Sequence, residues 1–116
     1  MEMTTEQLDG DVTCVRLRGR LDAAGADRID VPFTARVVSS GHAAVVDLSE
    51  VSFIASMGIR LLLSGARGLD RKGAKMVLFG ARGLVRTVLE EAAIDQIIPL
   101  VDDEPQALQV LAASRA

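Results

Sequence analysis

The sequence is poor in the residue types on which many binding and catalytic sites depend. It contains no tryptophan or tyrosine, three phenylalanines, one cysteine and one histidine. Because Cys14 is alone, no intrachain disulfide can form, which is typical of proteins from a reducing compartment. The few aromatic rings and the net charge of −3 also argue against nucleic acid as a partner, since single strands are held by aromatic stacking in basic grooves.

Motifs for enzymatic chemistry are missing as well. The sequence has no Gly-x-x-x-x-Gly-Lys-(Ser/Thr) loop, no Gly-x-Gly-x-x-Gly fingerprint and no Ser-His-Asp order with its supporting motifs. His42 has no neighbours spaced for metal binding or catalysis, so we expect it at the surface or at a strand edge. Asp47 is interpreted as a hydrogen-bond acceptor that stabilises a loop. We therefore expect no enzymatic activity, no cofactor and no metal.

Long hydrophobic runs are absent too. No stretch approaches the roughly 20 apolar residues of a membrane span, and the first residues, MEMTTEQLDGD, are acidic and polar, unlike a signal peptide. We expect a cytoplasmic protein without membrane insertion. With 49% apolar residues, the chain can bury a core of aliphatic side chains as a single domain over residues 1–116.

Strand-like and helix-like patterns alternate along the chain. An Asp9-Gly10-Asp11 turn predicts a hairpin at the start. Pro32 is expected to delay the first helix to near Val31 or to kink it. The predicted strands cover 3–8, 12–18, 43–46, 75–79 and 97–100, and the helices 24–40, 56–72, 82–93 and 103 onward. This order predicts a single small α/β domain: a four- to five-stranded, mostly parallel sheet with about four helices.

The stretch 45–63 has the pattern around which the chain is organised. An apolar strand leads into a predicted polar loop, and Ser56 then stands at the start of an amphipathic helix. Ser56 has two interpretations. The first is that it is the N-cap of this helix. The second is that it is a phosphorylation site, because the first N–H groups of a helix have no acceptor within the helix and can bind a phosphate. The position alone does not choose between them.

The run Asp47-Leu48-Ser49-Glu50-Val51-Ser52-Phe53-Ile54-Ala55-Ser56-Met57-Gly58-Ile59 resembles the central motif of the STAS domain family. It is similar, more narrowly, to that of bacterial anti-sigma factor antagonists, in which Ser56 matches the phosphorylated serine. Gly19-Arg20-Leu21-Asp22 resembles the family's Gly-Glu-Leu-Asp, and residues 81–98 resemble its later helix and short strand. Two positions depart from the family pattern: Ala55 stands where Asp is usual, and Met57 where Ser or Thr is usual.

The resemblance implies a STAS-like fold and a function in partner switching. Such an antagonist binds an anti-sigma factor that is also a serine kinase, is released when Ser56 is phosphorylated, and is restored by a PP2C-type phosphatase. The partner-binding residues implied in this way are Asp22, Ser49, Ser56, Met57, Gly58, Arg60 and Ser64. The alternative is a non-phosphorylated STAS subunit of a transporter or signalling complex, which Ala55 and Met57 leave open.

Overall fold

A five-stranded sheet organises the computed structural model, which describes residues 1–115. The strands lie side by side in chain order: β1 (Glu2–Leu8), β2 (Val12–Leu21), β3 (Ala43–Ile54), β4 (Met76–Phe79) and β5 (Leu100–Val101). The first two form the predicted antiparallel hairpin, and all later pairs are parallel. The predicted fold class, a mostly parallel α/β domain, is confirmed.

Four α-helices cover the two faces of the sheet unequally. They are α1 (Ala23–Phe33), α2 (Ser56–Arg71), α3 (Gly83–Glu91) and α4 (Glu104–Arg115). The larger core cluster joins one sheet face to α1, α2 and α3, whereas a smaller cluster joins the other face to α4 through Ala107 and Leu111. Among the described residues, no helix combines the length and apolarity that crossing a bilayer requires.

The predicted polar loop after Val46 is wrong, because β3 continues through it to Ile54. The pairing of β3 with β2 shifts register twice, from Arg16↔Asp47 to Arg18↔Glu50 and from Gly19↔Val51 to Arg20↔Phe53. At each shift β3 carries one residue more than β2, which is the arrangement of a β-bulge. The bulges break the alternation of buried and exposed residues by which a strand is recognised in a sequence. Only Ala55 separates β3 from α2.

The late start predicted for the first helix is also wrong. Helix α1 begins at Ala23 because the Asp22 carboxylate caps it: Oδ1 accepts the Gly25 N–H at 2.8 Å. Pro32 lies in the last turn, and a π-helical segment, Thr34–Val38, follows directly. The irregularity expected from a proline without an N–H therefore comes at the end of the helix rather than at its beginning.

Two details of the last third of the chain differ from expectation. The helical pattern over residues 82–93 groups Leu84 with Val85 on one side, but Leu84 is 81% exposed, because it is turned about 100° around α3 from the buried Val85. The strand expected at 97–100 is only Leu100–Val101. Ala93 adopts a left-handed conformation with φ 58°, and residues Ile94–Gln96 form a short 3₁₀ turn before the strand begins.

Glycines allow α2 to pack closely against its neighbours. A Cβ added at Gly58 would lie 2.5 Å from the Leu21 carbonyl oxygen, and one at Gly65 would lie 2.5 Å from the ring of Phe33. A Cβ at Gly68 would meet only a methyl group of Val38, at 2.6 Å. The contact at Gly58 involves a backbone atom of β2, so it has the least room to adjust.

We expect Gly58→Ala to lower the free energy of unfolding by about 1–3 kcal/mol, the usual cost of overpacking a core. Urea unfolding followed by circular dichroism measures the change. Gly68→Ala is the matched control: it adds the same methyl group in the same helix, but the added atom meets a side-chain methyl of Val38 instead of a backbone oxygen. Alanine also favours the helix by up to about 1 kcal/mol. Equal stabilities of the two variants would contradict the packing argument.

Cys14 lies fully buried on the α4 side of the sheet, with its thiol 3.6 Å from Glu104 Oε1. Burial is the main reason that the pKa of this thiol rises from 9.0 to about 11. The neutral thiol thus favours the folded state below pH 9, and this contribution is lost as the pH rises through the folded-state pKa of about 11.

We expect iodoacetamide at pH 8 to alkylate the native protein at least ~100-fold more slowly than the urea-unfolded chain, because two pKa units reduce the thiolate fraction by that factor. Intact-mass spectrometry at timed intervals follows the reaction, and the unfolded chain serves as the control. A native rate within tenfold of the unfolded rate would show that the thiol is accessible and ionises readily.

Candidate functional site

The candidate site lies at the carboxyl ends of β2 and β3. Leu21 and Ile54 are paired in register, and the Leu21 carbonyl accepts the Ala55 N–H at 3.1 Å. The chain leaves the sheet at both strands and enters a helix at once, α1 after Asp22 and α2 after Ala55. The beginnings of the two helices therefore lie together at the edge where parallel α/β sheets usually bind ligands and partners.

Ser56 is exposed at the first position of α2, as predicted, but it is not the N-cap. Ala55 occupies the N-cap position, in an extended conformation with φ −128° and ψ 177°. Its side chain has no oxygen, so no side-chain hydrogen bond caps the helix. The N-cap interpretation of Ser56 is therefore wrong by one residue. The departure from the family pattern at Ala55 now has a structural meaning, because an aspartate there would be the cap.

The Asp22 carboxylate is held in the position next to this helix start. Its Oδ1 accepts the Gly25 N–H at 2.8 Å, and Arg20 Nε lies 3.4 Å from its Oδ2. The hydrogen bond from Gly25, and then the neighbouring Arg20, keep the pKa of Asp22 below its usual value. Asp22 thus stays ionised at neutral pH and places a negative charge near Ser56.

A groove of about 200 Å³ runs between α1 and α2 from this end of the molecule. Met57, Arg60 and Ser64 line it from α2, and all three are exposed. Asp27 and Asp30 line it from α1 and are also exposed. The groove thus has a basic side chain on one wall and two carboxylates on the other.

Ser49 is the predicted site residue that the structure does not bring to this cluster. It lies five positions before Ile54 on the bulged strand, level with Arg16–Arg18 of β2, so roughly 13 Å of strand separate it from the cluster. Its N–H donates to Asp47 Oδ1 at 2.9 Å, and its carbonyl accepts from Arg82 Nη2 at 3.4 Å. The acceptor role predicted for Asp47 is confirmed, although it lies within bulged β3 rather than in a loop.

Gly58 is part of the cluster but is buried, and its missing side chain serves contact with Leu21. The part in partner binding that the resemblance implies for it stays a prediction. In the described part of the chain, no three His, Cys, Asp or Glu side chains lie close enough together to ligate a metal ion.

Sequence reasoning missed four residues near the site. Phe53, an apolar residue of the central motif, is 40% exposed, and the Arg20 guanidinium lies 4.2 Å from the centre of its ring, a cation–π contact. The register shift before Phe53 has no signature in the sequence. Asp27 and Asp30 could have been found, because two acids three residues apart share one face of a helix.

We expect Ala55→Asp to raise the free energy of unfolding by about 1 kcal/mol, since the carboxylate would accept an N–H in the first turn of α2 and favour the positive end of the helix. Thermal and urea unfolding measure the gain. Ala55→Asn is the control, because its amide oxygen can form the same hydrogen bond without the charge. If neither variant were more stable than the wild type, the uncapped helix start would have no energetic consequence.

Two proteins similar to this chain align with it over most of both chains. BtrV of Bordetella bronchiseptica, provisionally named an anti-sigma factor antagonist, is 27% identical over 92% of this chain and 91% of its own length. An anti-sigma factor antagonist from Mycobacterium paratuberculosis has a solved structure with a TM-score of 0.85 at 26% identity, covering 96% of this chain and 93% of that one.

The anti-sigma factor antagonist SpoIIAA of Bacillus has the same fold at lower identity. Its unphosphorylated form gives a TM-score of 0.69 at 19% identity over 99% of both chains. A phosphorylated form has also been solved, with the same TM-score of 0.69 over 93% of this chain and 97% of that one. The profile of the STAS domain matches residues 2–107. This chain therefore belongs to the STAS domain family, as the family match, its central motif and its mostly parallel sheet together indicate.

Proposed function

We propose that this protein is an anti-sigma factor antagonist that works by partner switching, with Ser56 as the switch. The observation that carries the proposal is the place of Ser56: an exposed hydroxyl at the first position of α2, beside the ionised Asp22. The names of BtrV and of the Mycobacterium and Bacillus relatives support the same function. In this proposal the protein acts in the cytoplasm, where sigma factors act.

The proposed partner is an anti-sigma factor that is also a serine kinase. The Ser56 oxygen attacks the γ-phosphorus of ATP, the bond from that phosphorus to the bridging oxygen breaks, and ADP leaves; the serine proton passes to a base of the kinase. A PP2C-type phosphatase reverses the state by hydrolysis, in which water supplies the hydroxyl and inorganic phosphate leaves. This chain supplies only the hydroxyl and the surface that positions it, so it is a substrate and not an enzyme.

The proposed binding surface combines an apolar contact with polar ones. Met57, 44% exposed, supplies an apolar side chain next to Ser56, and Arg60 and Ser64 continue along the same groove. Asp22 lies beside them, Gly58 supports the helix start from within, and Ser49 would contact only a partner that extends along β3. Phosphorylation would bring close to two negative charges to a place where the kinase must hold the phosphates of its nucleotide. Like charges brought together in this way cost several kcal/mol, which is enough to release the partner.

We expect Ser56→Asp to fold normally and to bind the purified anti-sigma factor at least ~100-fold more weakly, which corresponds to about 2.8 kcal/mol. Ser56→Ala should bind as the wild type does but should not be released by ATP. Isothermal titration calorimetry measures the affinities, with Ser39→Asp as a control that adds the same charge at an exposed serine outside the site. An affinity that is indifferent to Ser56→Asp, with no phosphate on the wild type after incubation with kinase and ATP, would favour the non-phosphorylated STAS subunit.

We expect Arg60→Glu to weaken binding of the same anti-sigma factor at least ~10-fold, because it reverses a charge on the proposed surface. The thermal midpoint should barely change, since exposed substitutions usually alter stability by about 0.5 kcal/mol or less. Arg71→Glu provides the matched control at the far end of the same helix. Equal losses of affinity in both variants would mean that the effect comes from net charge and not from this surface.

A further inference from the structure

Arg60 lies one helical turn after Ser56 in α2. The two residues are four apart in α2, so their side chains lie one above the other on the same side of the helix. Arg60 is exposed, and none of the ion pairs found among the described residues includes it. Arg60 is also the only charged residue in the first two turns of α2, from Ser56 to Leu62. Its guanidinium is therefore free to turn towards either a partner or Ser56.

The surroundings of Ser56 are otherwise acidic. Asp22 lies at the neighbouring helix start, and Asp27 and Asp30 line the groove from α1. The cations on that side are Arg20, which is placed against Asp22 and the ring of Phe53, and Arg28. A phosphate on Ser56 would lie next to the groove residue Met57, with carboxylates on α1 and at its start, and with Arg60 as the one cation in the first two turns of its own helix.

We propose that Arg60 is a phosphate-dependent switch residue: it contacts the partner when Ser56 carries a hydroxyl, and it folds back onto the phosphate when Ser56 is phosphorylated. The inference rests on the proposed function for the modification itself. A guanidinium binds phosphate through two parallel hydrogen bonds. An anion four residues before a cation is the favourable order in a helix. Phosphorylation then changes the surface twice, by adding a dianion and by withdrawing a cation.

Ala55 favours the binding of the phosphate at this helix start, because its side chain has no carboxylate. With no carboxylate at the N-cap position, the residue before Ser56 adds no negative charge to that of Asp22, and its side chain takes none of the first N–H groups of α2. The phosphate can use these N–H groups together with Arg60. An aspartate at position 55 would compete for the same donors and repel the dianion.

The test uses protein with phosphoserine incorporated at position 56 during translation, so that no kinase is needed. Phosphorus NMR titration gives the second pKa of the phosphate. We expect it to lie roughly half a unit below the value of about 6 for an unperturbed phosphoserine, because a nearby cation favours the dianion. Arg60→Gln should raise the pKa towards the unperturbed value of about 6, since the nearby cation is lost, and Arg60→Lys should give an intermediate value.

Arg67→Gln is the control, because residue 67 lies roughly 16 Å along the helix from residue 56 and should leave the phosphate pKa unchanged. Ala55→Asp should raise it. Equal phosphate pKa values in the wild type and in Arg60→Gln would overturn the contact between Arg60 and the phosphate, but not the proposed role of Ser56 as the switch. If the phosphorylated wild type bound the anti-sigma factor as tightly as the unmodified protein, the proposed switch would fall, while the titration would still decide whether Arg60 holds the phosphate.

Discussion

The parallel pairing of β2 with β3 is the interaction on which the candidate site depends. It continues to the last residues of both strands, where the Leu21 carbonyl accepts the Ala55 N–H. That hydrogen bond places the start of α2 against the end of β2, and Gly58 allows the approach because it has no side chain to meet Leu21. The two helix starts, and with them Asp22 and Ser56, are neighbours for this reason. A chain with the same helices but a different register would separate them.

Rigidity of this kind suits a switch that works by surface charge. Ser56 stands on a helix that is packed against the strand before it, and the Asp22 carboxylate is held by the Gly25 N–H and Arg20. A group added to the Ser56 oxygen points into solvent, so the fold has no need to rearrange. In the proposed mechanism a partner would detect the new charge directly, without a conformational change in this chain, and the free side chain of Arg60 would be the one mobile element.

Some residues at the site hold its backbone in place, and others present side chains that a partner could contact. Leu21, Gly58 and the bulged end of β3 hold the backbone, whereas Met57, Arg60 and the acids of α1 present side chains to solvent. The two bulges in β3 link these roles, because they change which residues of β3 face outward near its end. Phe53 is exposed beside Arg20 for this reason. A partner that covers the exposed end of β3 would therefore meet an aromatic ring.

The sequence by itself determined the class of fold, the order of most elements and the exposure of Ser56. These features follow from local patterns: the apolar run of β3, the helical period from Ile59, and the resemblance of residues 47–59 to a known motif. Only the tertiary structure decided that β3 passes through its polar stretch, that Ala55 rather than Ser56 is the N-cap, and that Ser49 lies apart from Asp22 and Ser56. Strand pairing is the physical reason, because a bulge is defined by the partner strand and leaves no periodic signal in the chain that contains it. The groove between α1 and α2 depends in the same way on two helices that are distant in sequence, and no local pattern in either one could place them side by side.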